Sequence, residues 1–363
     1  MCEQVMQHSQ SLTSDSNFID KHLKVSSENP HLTLSISWYQ RQIVTWNVVP
    51  FPVHCLLKNP SANISSDDFH HMENSSMFVG SCNGLLCFHS WNRGPEPPFK
   101  FLHISNPATR TRSQQIEYTF GKDFSFTFGY DASSRTYKIV AFRADQGNSE
   151  VRVFNLGDNC WRNIQNFPVV PYNRLDNCMF PRWFNNGAHF CGTINWLALD
   201  KSITDHINQF VVVSLDLSTE TYKQFMLPLG LADEVPISQL ILRVLLDSLC
   251  FSHDSNKTEF ILWKMKEYGV QESWIQLFKI SYQNLAMQLP MLNIDYDDSH
   301  YQLRCLYING DVVIFASFCK YSFISDSFIY NLKDKTVVKI ESEYMIHWFS
   351  DSKDYVESLV SVY

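Results

Sequence analysis

Most of the chain is built from short apolar or alternating runs, each cut by Asn, Asp, Gly, Ser or Pro. Period-two alternation ended by turn formers predicts strands, and windows with the 3.6-residue apolar period of a helix are rare. The runs recur in two forms. One pairs a strand with a polar turn and a second strand: VRVFNLGDNCWRNIQNFP (151–168), VVVSLDLSTETYKQFMLP (211–228) and SFIYNLKDKTVVKIE (327–341). FLHISNPATRTRSQQIE (101–117) and FILWKMKEYGVQESWIQLFKI (260–280) keep the same frame. The other form precedes each of these with a turn and a strongly apolar strand. It is seen in MFVGSCNGLLCFHS (77–90), FTFGYDASSRTYKIVAF (126–142), GAHFCGTINWLAL (187–199), LRVLLDSLCFSH (242–253) and RCLYINGDVVIFA (304–316). Asn, Asp, Gly and Pro permit the reversal, and the flanking alternation gives each strand a buried face.

Together the two forms make a four-stranded unit that occurs about five times, at a period of roughly 45–60 residues. A lone meander of this size cannot bury both faces, whereas radial packing of several does so and leaves only short edges. The expected fold is therefore all-β: a propeller-like ring of diverged four-stranded units, with a β-sandwich or two packed sheets as the alternative. Residues 36–58 and the C-terminal stretch are expected to supply further strands that close the ring.

Composition agrees. The chain has 363 residues, 45% apolar, 18% charged and 14% aromatic, enough for a substantial core and biased toward β structure. Net charge is −8 and no Lys/Arg run is present, so nucleic acid is not an expected partner. No apolar stretch reaches the ~18–20 residues of a membrane-spanning helix, and no membrane partner is expected. The N-terminus lacks a secretory pattern, so the 10 scattered cysteines read as reduced, mostly buried thiols and the compartment as cytoplasmic or nuclear.

Candidate chemistry is sparse. Asp295, Asp297, Asp298 and His300 form an acidic cluster without the Gly and distal Glu of a calcium loop, and they read as a solvated connection. Asp67, Asp68, His70 and His71 alternate faces in an extended chain and read the same way. No hydrolase, phosphate-loop or dinucleotide motif occurs, so no catalytic residue, metal or cofactor is expected. Gly80, Gly84, Gly129, Gly192 and Gly310 read as turn or close-packing positions. Trp161, Trp196, Trp263 and Trp274 fall on strands and read as core. Trp183 is different. It lies in VVPYNRLDNCMFPRWFNN (169–186), an inter-unit stretch rich in Pro, Asn, Arg and aromatics. Such loops carry binding residues, and Tyr, Trp and Arg anchor protein interfaces. Tyr172, Arg174, Arg182, Trp183 and Phe184 are the candidate contacts with a protein target, against the plainer reading of a packed surface loop.

Several stretches, in order, resemble the plant F-box-associated domain: VGSCNGLLCF (79–88), ISNPATR (104–110), FGYDASSRTYKIV (128–140), VRVFNLGDNCWRNI (151–164), NGAHFCGTINWLA (186–198), SLDLSTETYKQFMLP (214–228) and YVESLVSVY (355–363). The resemblance implies a kelch-like, propeller-type domain over residues 36–363. It also implies that residues 1–35 are a short helical remnant and linker, because SLTSDSNFIDKHL (11–23) and Asn29-Pro30 match only the tail of an F-box. In the family, that F-box joins a Skp-type adaptor to a cullin ubiquitin ligase. The resemblance therefore implies a non-enzymatic substrate receptor whose adaptor binding is expected to be defective in this sequence. Alternatives are a paralogue that binds targets without ubiquitination and, more remotely, a propeller-fold enzyme.

Overall fold

The computed structural model describes residues 16–40, 43–61, 70–71, 76–91, 99–121, 124–145, 148–171, 187–200, 210–228, 240–255, 258–288, 301–319, 325–342, 345–347 and 354–362. They form six antiparallel sheets in two compact units, one of residues 1–122 with 342–363 and the other of residues 123–341.

The first unit holds two sheets. Sheet 1 pairs His31–Gln40 with Ile43–Pro52, which in turn pairs His70–His71. Met345–His347 and Asp354–Tyr355 both add to the other edge of His31–Gln40. This is the expected contribution from the two chain ends. The expectation of strand through residue 58 is corrected, however, because Val53–Lys58 is a helix. Pro52 lacks an N–H and ends the strand, and Val53 and Leu56, one turn apart, then bury on a single helical face. Sheet 2 is Ser76–Cys82, Leu85–Trp91, Lys100–Asn106 and Thr111–Arg112, with Ile116–Glu117 also on Lys100–Asn106. Ahead of sheet 1, Ser16–Ser26 is helical, in agreement with the short N-terminal helix expected. Ile19 and Leu23 lie half-buried on one face, while Phe18 and Val25 are exposed.

The second unit holds four sheets in chain order. Sheet 3 is Ser125–Asp131, Thr136–Asp145, Asn148–Asn155 and Cys160–Asn163. Sheet 4 has Thr193–Leu199, Phe210–Asp216 and Tyr222–Met226, with a first edge made by Val170–Pro171 and Ala188–Phe190. Sheet 5 is Ile241–Leu245, Ser248–Ser255, Glu259–Met265 and Trp274–Ser281, and sheet 6 is Tyr301–Asn309, Val312–Cys319, Ser325–Asn331 and Val337–Lys339. Sheets 2 to 6 are thus the five repeats read from the sequence. Interior strands such as Ser248–Ser255 are buried nearly throughout, while the last strands, such as Cys160–Asn163, are largely open. That gradient is what face-to-face sheet packing imposes.

One device closes the hairpins. In each repeat but that of sheet 5, an Asn or Asp ends a strand and its side-chain oxygen accepts amides from the next residues. Asn106 Oδ1 takes Ala108 and Thr109, Asp131 takes Ser133 and Ser134, Asn155 takes Gly157, Asp216 takes Ser218 and Thr219, and Asn331 takes Lys333 and Asp334. Four residues after each comes a left-handed residue, namely Arg110, Arg135, Asn159, Glu220 or Lys335, at φ +52 to +60. The side chain mimics a backbone turn, and the left-handed residue restores antiparallel direction.

Neighbouring sheets of the second unit are joined by aliphatic and aromatic cores and by polar fasteners. Leu249, Phe251 and Trp274 of sheet 5 bury against Leu197, Phe210 and Val212 of sheet 4. Trp196 and Trp274 are core residues as expected, while Trp161 and Trp263 are only half-buried. Seven cysteines with described side chains form no disulfide. Cys82, Cys87, Cys250 and Cys305 are buried, while Cys55, Cys160 and Cys191 are exposed.

Between sheets 3 and 4, Lys138 Nζ reaches Asp131 (3.1 Å), Glu220 (3.3 Å) and the Leu217 carbonyl, and Arg162 also pairs with Glu220. Burial opposes ionisation of Asp131, but hydrogen bonds from Ser134, Ser133 and Lys138 outweigh it and hold the carboxyl well below its usual range. Glu220 is lowered likewise, Arg162 and Lys138 overcoming its burial. Between sheets 4 and 5, the Tyr268 hydroxyl donates to Asn195 Oδ1 (2.6 Å) and lies 2.6 Å from Ser214 Oγ and 2.8 Å from Thr193 Oγ1.

Two outcomes follow from these fasteners. Tyr268→Phe leaves the fully buried Asn195 oxygen without its donor and lowers stability by about 1–3 kcal/mol. In urea titration the midpoint falls with an unchanged slope, and an unshifted midpoint contradicts the assignment. Because the folded-state pKa values of Asp131 and Glu220 are depressed, their contribution is full above about pH 4–5 and is lost as pH falls through the folded values. Melting temperature measured from pH 6 to pH 2 therefore drops less steeply in Asp131→Asn, from a lower starting point, than in the parent chain.

Candidate protein-binding site

The candidate contacts Tyr172, Arg174, Arg182, Trp183 and Phe184 lie outside the described residues, as do Asp67, Asp68, Asp295, Asp297, Asp298 and His300. What is described is the footing of the 172–186 segment. Val170 and Pro171 pair with Leu199 and Ala198, and Ala188, His189 and Phe190 pair with Asn195, Ile194 and Thr193. The chain leaves and rejoins the same edge of the same strand, at points three residues apart, roughly 10 Å. The segment is thus an excursion from the first strand of sheet 4. Proline is tolerated there because the edge position leaves it no ladder bond to donate.

The footing is densely packed. Trp196 is fully buried and meets Phe142 and Phe167 edge-on at 5.5 and 5.1 Å, and those two rings meet each other at 5.7 Å. Such T-shaped contacts add to the area the rings bury. Val140, Val153, Ala198 and Val213 complete the cluster. Asn195 Nδ2 donates to the Ala188 carbonyl (3.1 Å), and the Tyr130 amide donates to His189 Nε2 (3.1 Å), so the returning strand is tied to sheets 4 and 3.

Gly187, the first described residue after the excursion, has φ +84, and a Cβ there would lie 2.6 Å from both Trp196 Nε1 and Ile194 Cγ2. The glycines singled out from the sequence omit Gly187. Its signal was present: a Gly between the polar Asn185-Asn186 and an apolar strand. Gly84, Gly192 and Gly310 are turn residues as expected, with positive φ, and Gly129 packs against the His189 ring.

Other buried ionisable groups are structural. Burial, with Arg112 adding, pushes His103 down to about 3, so it stays neutral where it stacks on Phe88 at 5.1 Å. Burial pushes the Cys250 thiol up to about 12, far from a reactive thiolate. The Tyr282 hydroxyl donates to buried Asp254 and is raised by burial and by that carboxylate. No group of three or more His, Cys, Asp or Glu among the described residues is placed to hold a metal. The described geometry is a densely packed footing on each side of residues 172–186, whose sequence is rich in aromatic and cationic residues.

Residues 42–362 match the family described as the F-box associated beta propeller domain. The chain belongs to that family. Its propeller architecture agrees with the repeat read from the sequence. An F-box/kelch-repeat protein of Arabidopsis thaliana is 25% identical over 293 residues, covering 74% of this chain and 71% of the relative. F-box protein CPR1 of the same plant is 24% identical over 293 residues, covering 74% and 65%. The chain thus spans about two thirds of the length of these relatives. Among solved structures, TolB from Acinetobacter baumannii superposes at a TM-score of 0.47 with 9% identity, over 88% of this chain and 65% of that one.

Gly187→Ala is expected to cost about 2–4 kcal/mol, from the left-handed backbone and from overpacking on a ring that cannot yield. Chemical denaturation checks this, and a change below about 0.5 kcal/mol contradicts the role given to Gly187.

Proposed function

We propose that this F-box-associated domain is the target-recognition module of a Skp-cullin-F-box ubiquitin ligase. It captures a protein through the 172–186 excursion, with Tyr172, Arg174, Arg182, Trp183 and Phe184 as contacts. The observation that carries the reading is the excursion itself: residues of interface-anchor type rooted on a buried aromatic footing within an F-box-associated domain. The two Arabidopsis relatives, both named as F-box proteins, support the link to the ligase. In this reading the chain performs no chemistry. It positions a target in the cytosol or nucleus, and ubiquitin transfer belongs to the enzymes that the adaptor recruits.

The test has two arms. In the first, the chain is crosslinked in plant extract beside a form carrying Arg174→Ala, Arg182→Ala and Trp183→Ala. Proteins captured by the parent are expected to fall at least tenfold with the triple variant, and equal capture sinks the assignment of the contacts. In the second, the 363-residue chain and a version preceded by a complete F-box are each mixed with a Skp-type adaptor. Adaptor retained by the F-box version alone fits a receptor that needs that helical module, and retention by both shows that residues 11–34 suffice. Failure of both removes the ligase reading and leaves a module that binds targets without delivering them.

A further inference from the structure

In the first unit, the segment from Asp354 to Val360 lies across two sheets as an extended ligand lies in a groove. Asp354 and Tyr355 pair with Leu32 and His31 on the edge of sheet 1. The Tyr355 ring is buried in a cluster with Val48 of sheet 1 and Phe78, Leu86 and Phe88 of sheet 2. Ser358 is fully buried against the Asn83-Gly84 turn of sheet 2. A Cβ on Gly84 would lie 2.2 Å from Ser358 Cβ and 2.6 Å from the Val356 carbonyl oxygen.

Asn106 reads the backbone of this segment. Its Nδ2 donates to the Ser358 carbonyl at 2.9 Å and the Val360 carbonyl at 2.8 Å, while its Oδ1 is occupied by the turn amides of Ala108 and Thr109. Both donors of a fully buried amide are thus satisfied by this segment. The segment thus replaces the water that would otherwise solvate this amide, and its two carbonyls are held in a fixed register. Among the described turns of this type, Asn106 is the one whose amide reaches out of its own turn to a segment more than 250 residues away in sequence.

We propose that Gly84, Asn106 and the edge of His31–Gln40 form a selective site for an extended peptide, occupied in cis by residues 354–360. The site takes an aromatic residue at the position of Tyr355, demands a small residue at that of Ser358, and holds the carbonyls at positions 358 and 360. Main-chain pairing supplies affinity and the Gly84 contact supplies selectivity, the division of labour seen when a peptide adds a strand to a sheet edge. The segment is therefore an exchangeable ligand as well as a strand.

The test uses the full chain with a protease recognition sequence in place of residues 348–353, cut after folding. A labelled peptide of residues 354–362 is expected to exchange into the cut protein saturably. The same peptide with Ser358→Trp is expected to bind at least tenfold more weakly, and Asn106→Asp in the protein to weaken the parent peptide at least fivefold. A companion version carries Tyr355→Ala in its own tail, so that the tail leaves on cleavage. Its melting temperature is expected to climb by several degrees with added parent peptide and to stay flat with the Ser358→Trp peptide, as linkage requires. If the companion does not fold, exchange into the cut parent chain decides. No uptake of the parent peptide, or equal uptake of both peptides, overturns the proposal.

Discussion

A strand ending in Asn or Asp, whose side-chain oxygen takes one or two amides of the following turn and which is followed four positions later by a left-handed residue, is the constraint on which sheets 2, 3, 4 and 6 depend. It reverses the chain in a fixed geometry and thereby sets strand register. Register in turn decides which face of each strand is apolar and so which residues meet the next sheet. The left-handed residues are also put to use. Glu220 sits at such a position, and its carboxylate is delivered to Lys138 and Arg162 of the preceding sheet. The device that closes a hairpin thus also fastens one sheet to its neighbour.

The fasteners are polar where tight turns meet and apolar along the strands. Asp131, Lys138 and Glu220 are too buried to be a surface ion pair of negligible worth, and their remaining valences are filled by Ser133, Ser134 and a backbone carbonyl. Tyr268 performs the corresponding task one sheet further along, with neutral groups only. These contacts specify how consecutive sheets align, while Val, Phe and Trp contacts supply the larger share of burial energy.

This division bears on function. Where Pro171 and Ala188–Phe190 join sheet 4, Trp196, Phe142 and Phe167 form a buried aromatic cluster, and Asn195 and His189 tie down the strand Ala188–Phe190. A segment joined to so packed a footing can vary in sequence without disturbing the sheet. That is the physical condition for one scaffold to present different recognition surfaces.

Local sequence carried much of this. The five four-stranded repeats were legible because alternation and turn chemistry act over a few residues, and ISNPATR, FGYDASSRT and SLDLSTET display their turn-forming Asn or Asp openly. The composition of residues 172–186 singled them out as the proposed contact stretch. Nothing local, though, reveals that Val170 and Ala188 share one strand edge, that Gly187 must be bare to clear Trp196, or that Val53–Lys58 leaves the strand to bury Val53 and Leu56. Left-handed Leu246 and Cys191 likewise occupy turn positions that their residue types do not advertise. By itself the sequence determined the five four-stranded repeats and the turns that open with Asn or Asp, since those depend on neighbours in the chain. Only the tertiary structure decided which sheets touch, what roots the candidate binding segment, and that Asn106 holds residues 358 and 360, because these contacts join groups far apart in sequence.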